Sequence, residues 1–84
     1  MNSKAKKALG QFIVADPEIC HGQLTFKGTR ILVEDVLQML AKGWDWNRIS
    51  AAFDNRISHE AIAEAIELAA ESLLESSVMQ RRAA

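Results

Sequence analysis

Two short apolar runs near the N-terminus, Phe12–Val14 and Leu24–Phe26, are rich in strand-forming residues. Turn-forming residues stand on both sides of them, at Asp16-Pro17, Gly22 and Gly28-Thr29. This pattern predicts a small β-ribbon, paired either within one chain or across a dimer. Because a lone two-stranded ribbon is only marginally stable in water, other elements must cover it.

The first helical pattern follows the ribbon and runs from about Val33 to Lys42. Its apolar positions recur at the spacing of one helix face: Val33, Val36, Leu37 and Leu40. Glu34 and Asp35 fall in the first turn and Lys42 in the last, and these are the ends where the helix dipole favours those charges. Gly43 then stands at the position of a left-handed C-terminal cap. Together these features predict a short amphipathic helix.

A second helix is predicted from Asp45, as its N-cap, to about Phe53. Trp46, Ile49 and Phe53 share one face of this helix at spacings of three and four. We therefore expect Trp46 mostly in the core. Trp44 should be more exposed and lie in a subunit interface, where tryptophan is enriched. Both tryptophans are also candidates to stack on a nucleobase.

The third helix begins after Ser58 as N-cap, and Ile57 and Ile62 occupy the two positions of a hydrophobic staple. If it reaches Met79, it spans roughly 30 Å at 1.5 Å per residue, about twice the length of the first helix. Its apolar positions continue to the end: Ala69, Leu73, Leu74 and Val78. Since the first two helices end too early to cover them, this distal half should pack on another chain.

These elements predict a mostly α fold: a small N-terminal β-ribbon followed by a three-helix, helix-turn-helix-like bundle with a long third helix. We expect a single domain at 11–79, preceded by a flexible basic arm at 1–10 and followed by a C-terminal tail at 80–84. A chain of 84 residues is close to the size at which only about 60% of the unfolded surface is buried. The core is therefore thin, and support from a partner or a second copy is expected.

Composition and charge narrow the class of protein. Hydrophobic residues make up 49% of the chain, with one proline, which favours a folded domain. The single cysteine, Cys20, is typical of a reducing compartment, and with no signal peptide and no membrane-spanning run we predict a cytoplasmic protein. The net charge is −1, with a balance of +2 in residues 1–42 and −3 in residues 43–84. Only the N-terminal half is therefore suited to approach phosphate.

A row of carboxylates follows the third helix at spacings of four, three, four and four: Glu60, Glu64, Glu67, Glu71 and Glu75. Duplex DNA would repel this row, which argues against the third helix as a DNA-reading helix. Two interpretations stay open. The row is either a solvated outer face of the helix or a surface that fills a basic groove on a partner.

Several basic residues are candidates for nucleic-acid contacts: Lys4, Lys6, Lys7, Lys27, Arg30, Arg48 and Arg56. Arg30 is either a phosphate or base-edge donor or a structural tie from its turn to backbone carbonyls, Glu34 or Asp35. We favour the tie, because a motif before a helix usually sets geometry. The N-terminal lysines form either an arm that reaches DNA or a solubilising tail.

The residue pattern does not predict a metal site or an enzyme. Cys20, His21 and His59 are the available soft ligands, but adjacent residues rarely both ligate, and no second cysteine or close histidine pair completes a site. No serine or cysteine has an evident base beside it, and the carboxylates form one row rather than opposed pairs. We predict no catalytic residue, no metal and no cofactor, and therefore a binding protein.

One set of positions between Ile13 and Leu68 forms a recognisable pattern: Asp16-Pro17, Ile19, Gly22, Gly28-Thr29-Arg30-Ile31, Val33, Leu37, Gly43, Ile49, Phe53, Ile57-Ser58 and Ile62. With these residues the chain resembles the domain-of-unknown-function 433 (DUF433) family, small bacterial and archaeal proteins regarded as VapB-type antitoxin components. It departs from the family pattern at three places. His21 replaces a common glycine, Gln23-Leu24 replaces a usual Lys-Pro, and Asp54-Asn55-Arg56 lacks a proline and is one residue longer.

The resemblance implies a helix-turn-helix-like fold, often dimeric, encoded beside a toxin of PIN-like nuclease fold that it neutralises, with binding to its own promoter as a further role. We therefore predict the antitoxin of a type II toxin–antitoxin pair that acts by direct protein binding, as a homodimer or higher oligomer. The candidate partner-binding residues are Glu64, Glu67, Glu71, Leu73, Leu74, Val78, Arg81 and Arg82. The alternative is a stand-alone DNA-binding transcriptional repressor that grips operator phosphates through the basic residues.

Arg81-Arg82 follows the last apolar residues of the third helix. The active site of a PIN-like nuclease is a cluster of carboxylates that binds divalent metal. A guanidinium that arrives on a partner's tail can pair with those carboxylates and occupy the metal position. The equal alternative is a disordered C-terminus.

Overall fold

The computed structural model describes the backbone of residues 6–83 and the side chains of residues 6–75. Three strands and three α-helices follow one another along these residues: β1 (Lys7–Ala8), β2 (Ile13–Ala15), β3 (Leu24–Phe26), α1 (Val33–Ala41), α2 (Trp46–Ala52) and α3 (His59–Ala83). A short 3-10 turn at Cys20–Gly22 lies between β2 and β3. The fold is therefore mostly α with a small N-terminal sheet, as the sequence predicted.

The sheet is antiparallel with β2 in the centre, and in it Ile13 lies opposite Phe26. The predicted ribbon is confirmed, and its strands pair within one chain. The prediction that residues 1–10 form one flexible arm is wrong at its C-terminal end, because Lys7–Ala8 is a third strand. This strand forms because the edge of β2 offers free backbone hydrogen-bonding groups, while Leu9 beside it packs against the core.

The core lies between one face of the sheet and the three helices. Its buried residues form one cluster: Ile13, Phe26, Val33, Val36, Ile49, Ile57, Ala61, Ile62 and Ala65. Partly buried apolar side chains surround it: Leu9, Phe12, Ile31, Leu37, Met39, Leu40, Trp44, Phe53 and Leu68. The helices therefore cover the ribbon, which satisfies the need for cover that its small size predicts.

Capping hydrogen bonds confirm the predicted helix starts. The Asp45 carboxylate accepts from the Arg48 backbone N–H, with an O···N distance of 2.7 Å. The Ser58 hydroxyl accepts from the Ala61 backbone N–H at 3.1 Å. After α1, Gly43 has a φ of +93°, a left-handed conformation that costs glycine nothing sterically. Local chemistry therefore sets the end of α1 and the starts of α2 and α3.

α3 has 25 residues against nine in α1, so the predicted difference in length is confirmed. The helix runs to Ala83, past the predicted end near Met79 and through most of the predicted tail at 80–84. No local breaker stops it sooner, because the four glycines and the one proline of the chain all lie at or before Gly43.

The two tryptophans take the opposite places from those predicted. Trp46 is 36% exposed, whereas Trp44 is half-buried and packs against the core. The backbone N–H of Trp44 donates to the carbonyl of Met39 at 3.1 Å, which turns the α1–α2 loop back toward α1. In α2, Ile49 occupies the buried face with no exposed surface, and this leaves Trp46 at the rim of that face.

Candidate functional site

The C-terminal part of α3, residues 70–83 and called distal α3 below, extends beyond the elements that cover the start of the helix. Ile62 and Ala65 are almost fully buried, but Leu73 and Leu74 are 71% and 65% exposed. α1 and α2 are too short to reach them, so the prediction that this chain leaves both leucines uncovered is confirmed. The other partner-binding candidates of distal α3, Val78, Arg81 and Arg82, lie outside the residues whose side chains are described.

An apolar groove leads from the sheet toward distal α3. One cavity of about 280 Å³ is lined by residues of β3, α1 and α3 that include Leu24, Leu37, Leu68 and Ser72. A neighbouring cavity of about 290 Å³ shares Leu24 and Leu37 with it. Leu24 itself is 37% exposed, and Ser72 directly precedes Leu73. Exposed apolar surface therefore continues from the sheet edge to the projecting helix.

Glu64 does not serve as part of an open acidic surface, contrary to the prediction for the carboxylate row. Its two oxygens accept hydrogen bonds from the backbone N–H groups of Gln11 and Phe12, at 2.9 and 2.7 Å. Any side chain at Gly10 would overlap this carboxylate, so glycine permits the close approach. Glu64 therefore fastens the β1–β2 turn to α3 and is corrected from a partner-binding to a structural residue.

No sequence pattern pointed to this bond, because its partners are more than 50 positions apart. The turn between β1 and β2 leaves backbone donors that need acceptors, and α3 crosses them at Glu64. The remaining carboxylates of the row are exposed: Glu60, Glu67, Glu71 and Glu75. The row thus divides into one structural carboxylate and an exposed acidic flank along α3.

The basic residues predicted to contact nucleic acid lie in separate parts of the structure. Lys27 and Arg56 line one groove of about 400 Å³, and Lys6 joins Lys27 in the lining of a second cavity of about 330 Å³. Lys7 is exposed on β1. Arg48 lies elsewhere, with its guanidinium carbon 3.8 Å from the centroid of the Trp44 ring. Lys4 and the first residues of the predicted arm lie outside the described residues.

The Thr29 side chain holds the turn before α1. The Thr29 hydroxyl donates to the carbonyl of Phe26 at 2.8 Å and accepts from the backbone N–H of Ile31 at 3.0 Å. Arg30 is exposed, and its carbonyl accepts a weak bond from the Cys20 thiol at 3.7 Å. The Thr29 hydroxyl therefore bridges this turn, and the tie predicted for the Arg30 side chain stays a prediction.

The start of α3 and the start of α2 meet in a small aromatic contact. The rings of Trp46 and His59 lie edge to face, with centroids 5.7 Å apart and an interplanar angle of 87°. Arg48 and Trp44 make a separate contact nearby in the sequence, with the guanidinium over the aromatic ring. Among the residues that the structure describes, no three side chains of the ligating types gather closely enough to hold one metal ion.

Within residues 6–83, no helix combines the length and the apolar content needed to cross a membrane. No curated protein and no solved structure matches the chain significantly. One family model does match, described as a protein of unknown function (DUF433), and it covers residues 13–69. The match therefore includes the strands β2 and β3, α1, α2 and the buried part of α3, and it ends where distal α3 begins. Since these residues are most of the chain, the protein belongs to the DUF433 family.

Proposed function

We propose that this protein is the antitoxin of a type II toxin–antitoxin pair and neutralises a PIN-like nuclease through distal α3. The single observation that supports a binding role most strongly is the exposure of Leu73 and Leu74, which lie where α3 extends beyond the elements that cover its first part. An exposed amphipathic helix of this kind is typical of segments that lie in an apolar groove of a partner. The VapB-type assignment comes from the resemblance described above and is part of the proposal.

The exposed leucines can contribute free energy to the binding of a partner. Burying a leucine side chain fully contributes roughly 1.5–3 kcal/mol. Leu73 and Leu74 begin mostly exposed, and Ile66, about two helical turns before them, is 37% exposed. If a partner covers all three, the apolar contribution is on the order of several kcal/mol before the costs of association. A cluster of this size suits the centre of an interface.

The exposed glutamates of α3 indicate the charge that the partner's binding surface should have. Glu67, Glu71 and Glu75 are exposed beside the leucines, so the complementary surface is apolar in the middle and basic at its rim. Arg81 and Arg82 follow on the same helix in the sequence. In this proposal their guanidinium groups pair with the metal-binding carboxylates of the nuclease and block metal entry.

The proposal also includes three further features. The chain assembles as a homodimer or higher oligomer, its three helices form a helix-turn-helix-like arrangement, and the protein is cytoplasmic.

The groove that contains Lys27 and Arg56 favours a second candidate, a stand-alone DNA-binding repressor. The two candidates differ in their main partner. An antitoxin co-purifies with the nuclease encoded beside it, whereas a repressor binds its promoter as a single purified species with steep salt dependence.

The test uses the full chain and the neighbouring nuclease. Leu73→Ala and Leu74→Ala, introduced together, should weaken binding by at least about 100-fold, because two central apolar anchors are lost while alanine keeps the helix. Trp46→Ala is the matched control, since it removes another exposed large apolar side chain from α2, beside the start of α3 and far along the helix from Leu73. Calorimetry measures binding, and a nuclease assay measures inhibition.

Unchanged inhibition by the double alanine variant, with the nuclease present and active, would refute the role of distal α3. A second variant, Arg81→Ala with Arg82→Ala, separates anchoring from blocking of the active site. It should retain binding and lose inhibition. Full inhibition by this variant would show that the arginines are not needed for inhibition. It would not affect the proposed binding role of Leu73 and Leu74.

A further inference from the structure

An exposed apolar row runs along α3 at the spacing of a coiled-coil helix. Its members are three or four residues apart: Ala63, Ile66, Ala70 and Leu73. Ala63 is half-buried and Ala70 is exposed, while Ile66 and Leu73 are 37% and 71% exposed. In the sequence the same spacing continues without charge at Ser77 and Gln80. We call this row the α3 seam.

The α3 seam lies on a different side of the helix from the residues that this chain buries. Ala61 and Ala65, each at most 2% exposed, mark the side that packs on the core. At 3.6 residues per turn, the middle of the seam lies roughly 140° around the helix from them. The seam is therefore a second packing face, and it continues from the covered part of α3 into distal α3.

Small and large side chains alternate along the seam, which suits pairing with an identical helix. Alanine lets a second helix come close, and isoleucine or leucine then fills the space beside it. When two copies of α3 run antiparallel, Ala70 of each can lie opposite Leu73 of the other. The row is then complementary to itself, as a two-fold interface requires.

The charges near the two ends of the seam favour the same antiparallel register. Glu60 and Arg81 occupy the same heptad position beside the seam, ten residues before Ala70 and eight residues after Leu73. With Ala70 opposite Leu73 of the second copy, Glu60 and the second copy's Arg81 come within roughly 3 Å of the same height along the pair. Symmetry gives this pair of opposite charges twice. A parallel pair would bring Glu60 beside Glu60, so charge complementarity selects an antiparallel second copy as the occupant.

The other carboxylates of α3 leave room for this pairing. Glu71 and Glu75 lie at least roughly 120° around the helix from the middle of the seam. The Glu64 carboxylate accepts two backbone hydrogen bonds from the β1–β2 turn, so it is directed toward the sheet. In this register Glu67 comes beside Leu74 of the second copy, where its methylene groups can pack. Like charges of the two copies therefore stay apart.

From these observations we infer that two copies of this chain pair through antiparallel α3 helices along the α3 seam, and that this pairing and the binding of the nuclease exclude each other. The second half rests on the proposed function, which assigns Leu73 and Leu74 to the nuclease. One helix face can pack on only one partner at a time. The free antitoxin therefore shields its own binding leucines, and the nuclease must displace the second copy to reach them.

Sedimentation equilibrium of the full chain, without nuclease, tests the pairing. The unmodified chain should be a dimer at micromolar concentration. Ala70→Glu should weaken the dimer by at least about 100-fold, because a charge enters the desolvated centre of the seam. The matched control, Ala51→Glu, makes the same exchange at an exposed position of α2 and should leave the dimer unchanged. Circular dichroism verifies that both variants fold.

A charge exchange tests the register. Glu60→Arg should weaken the dimer about tenfold, because like charges replace both ion pairs, and Glu60→Arg with Arg81→Glu should restore it to within about threefold. An effect on helix stability alone would not be restored by a change 21 residues away. Three results would overturn the pairing: a monomeric unmodified chain, an unchanged dimer in Ala70→Glu, or no restoration by the double exchange.

Calorimetry with the neighbouring nuclease tests the exclusion. Glu60→Arg weakens the pairing and leaves Leu73 and Leu74 in place, so it should bind the nuclease about threefold more tightly, the square root of its tenfold effect on the dimer. Glu18→Arg, the same exchange at an exposed position outside α3, should bind as the unmodified chain does. Equal or weaker binding by Glu60→Arg would overturn the exclusion and leave the pairing intact. No binding by any chain would refute the proposed function and the exclusion with it, but not the pairing, which is measured without nuclease.

Discussion

The two parts of α3 are one continuous helix with opposite surroundings. In the first part, Ala61, Ile62 and Ala65 are at most 2% exposed. Beyond residue 69, Leu73 and Leu74 are at least 65% exposed, although leucine is as apolar as isoleucine. The family match covers the first part and stops at the same place.

The difference shows that helix length and helix burial have different causes. Length follows from local sequence, because α3 contains good helix formers and neither glycine nor proline. Burial depends on neighbouring elements, and α1 and α2 are only nine and seven residues long. The first part of α3 therefore stabilises this chain, and the second part has apolar surface left for another one.

The largest effect is expected in the buried part. Ile62→Ala should lower the free energy of unfolding by about 2–5 kcal/mol, because it opens a cavity in a fully buried site. Ile66→Ala, one turn further on and 37% exposed, is the matched control and should cost less than about 1 kcal/mol. Urea denaturation followed by circular dichroism measures both. Equal losses in the two variants would contradict the division of α3.

A smaller effect is expected from the carboxylate that joins α3 to the sheet. Glu64→Gln should cost about 1–2 kcal/mol, because a neutral amide replaces a charged acceptor of two backbone N–H groups. Glu67→Gln changes the same group at an exposed position and should leave stability unchanged. Hydrogen exchange adds a local readout, since the amides of Gln11 and Phe12 should exchange faster only in the Glu64 variant.

The smallest effect on stability is expected in distal α3. Leu73→Ala with Leu74→Ala should change the free energy of unfolding of the isolated chain by less than about 0.5 kcal/mol, because both side chains are already in solvent. Thermal unfolding at low protein concentration measures this. A clear loss that grows with protein concentration would show that a second copy already covers these leucines.

Much of the secondary structure followed from residues that are close in sequence. The caps at Asp45 and Ser58, the left-handed glycine at Gly43 and the apolar spacing of α1 all act within one or two helical turns. Such short-range patterns predict where an element begins and ends, because the interacting groups are neighbours whatever the rest of the chain does. For the same reason the exposed leucines of distal α3 were predictable from helix lengths alone.

The predictions that were wrong concern groups that come into contact only after the chain has folded. β1 depends on the free edge of β2, and the opposite placement of Trp44 and Trp46 depends on how the α1–α2 loop turns back toward α1. The role of Glu64 depends on where α3 crosses the β1–β2 turn. Spacing along a helix predicts which side chains share a face, but it does not indicate what lies opposite that face.

By itself the sequence determined the family pattern, the order of the elements, the helix starts and the excess length of α3. These features result from local backbone preferences and from apolar periodicity, which act along the chain. Only the tertiary structure decided that Glu64 is a structural tie and that Lys27 and Arg56 share a groove. These pairs are far apart in sequence, and only the packing of the sheet against α3 brings their side chains within reach of the same space.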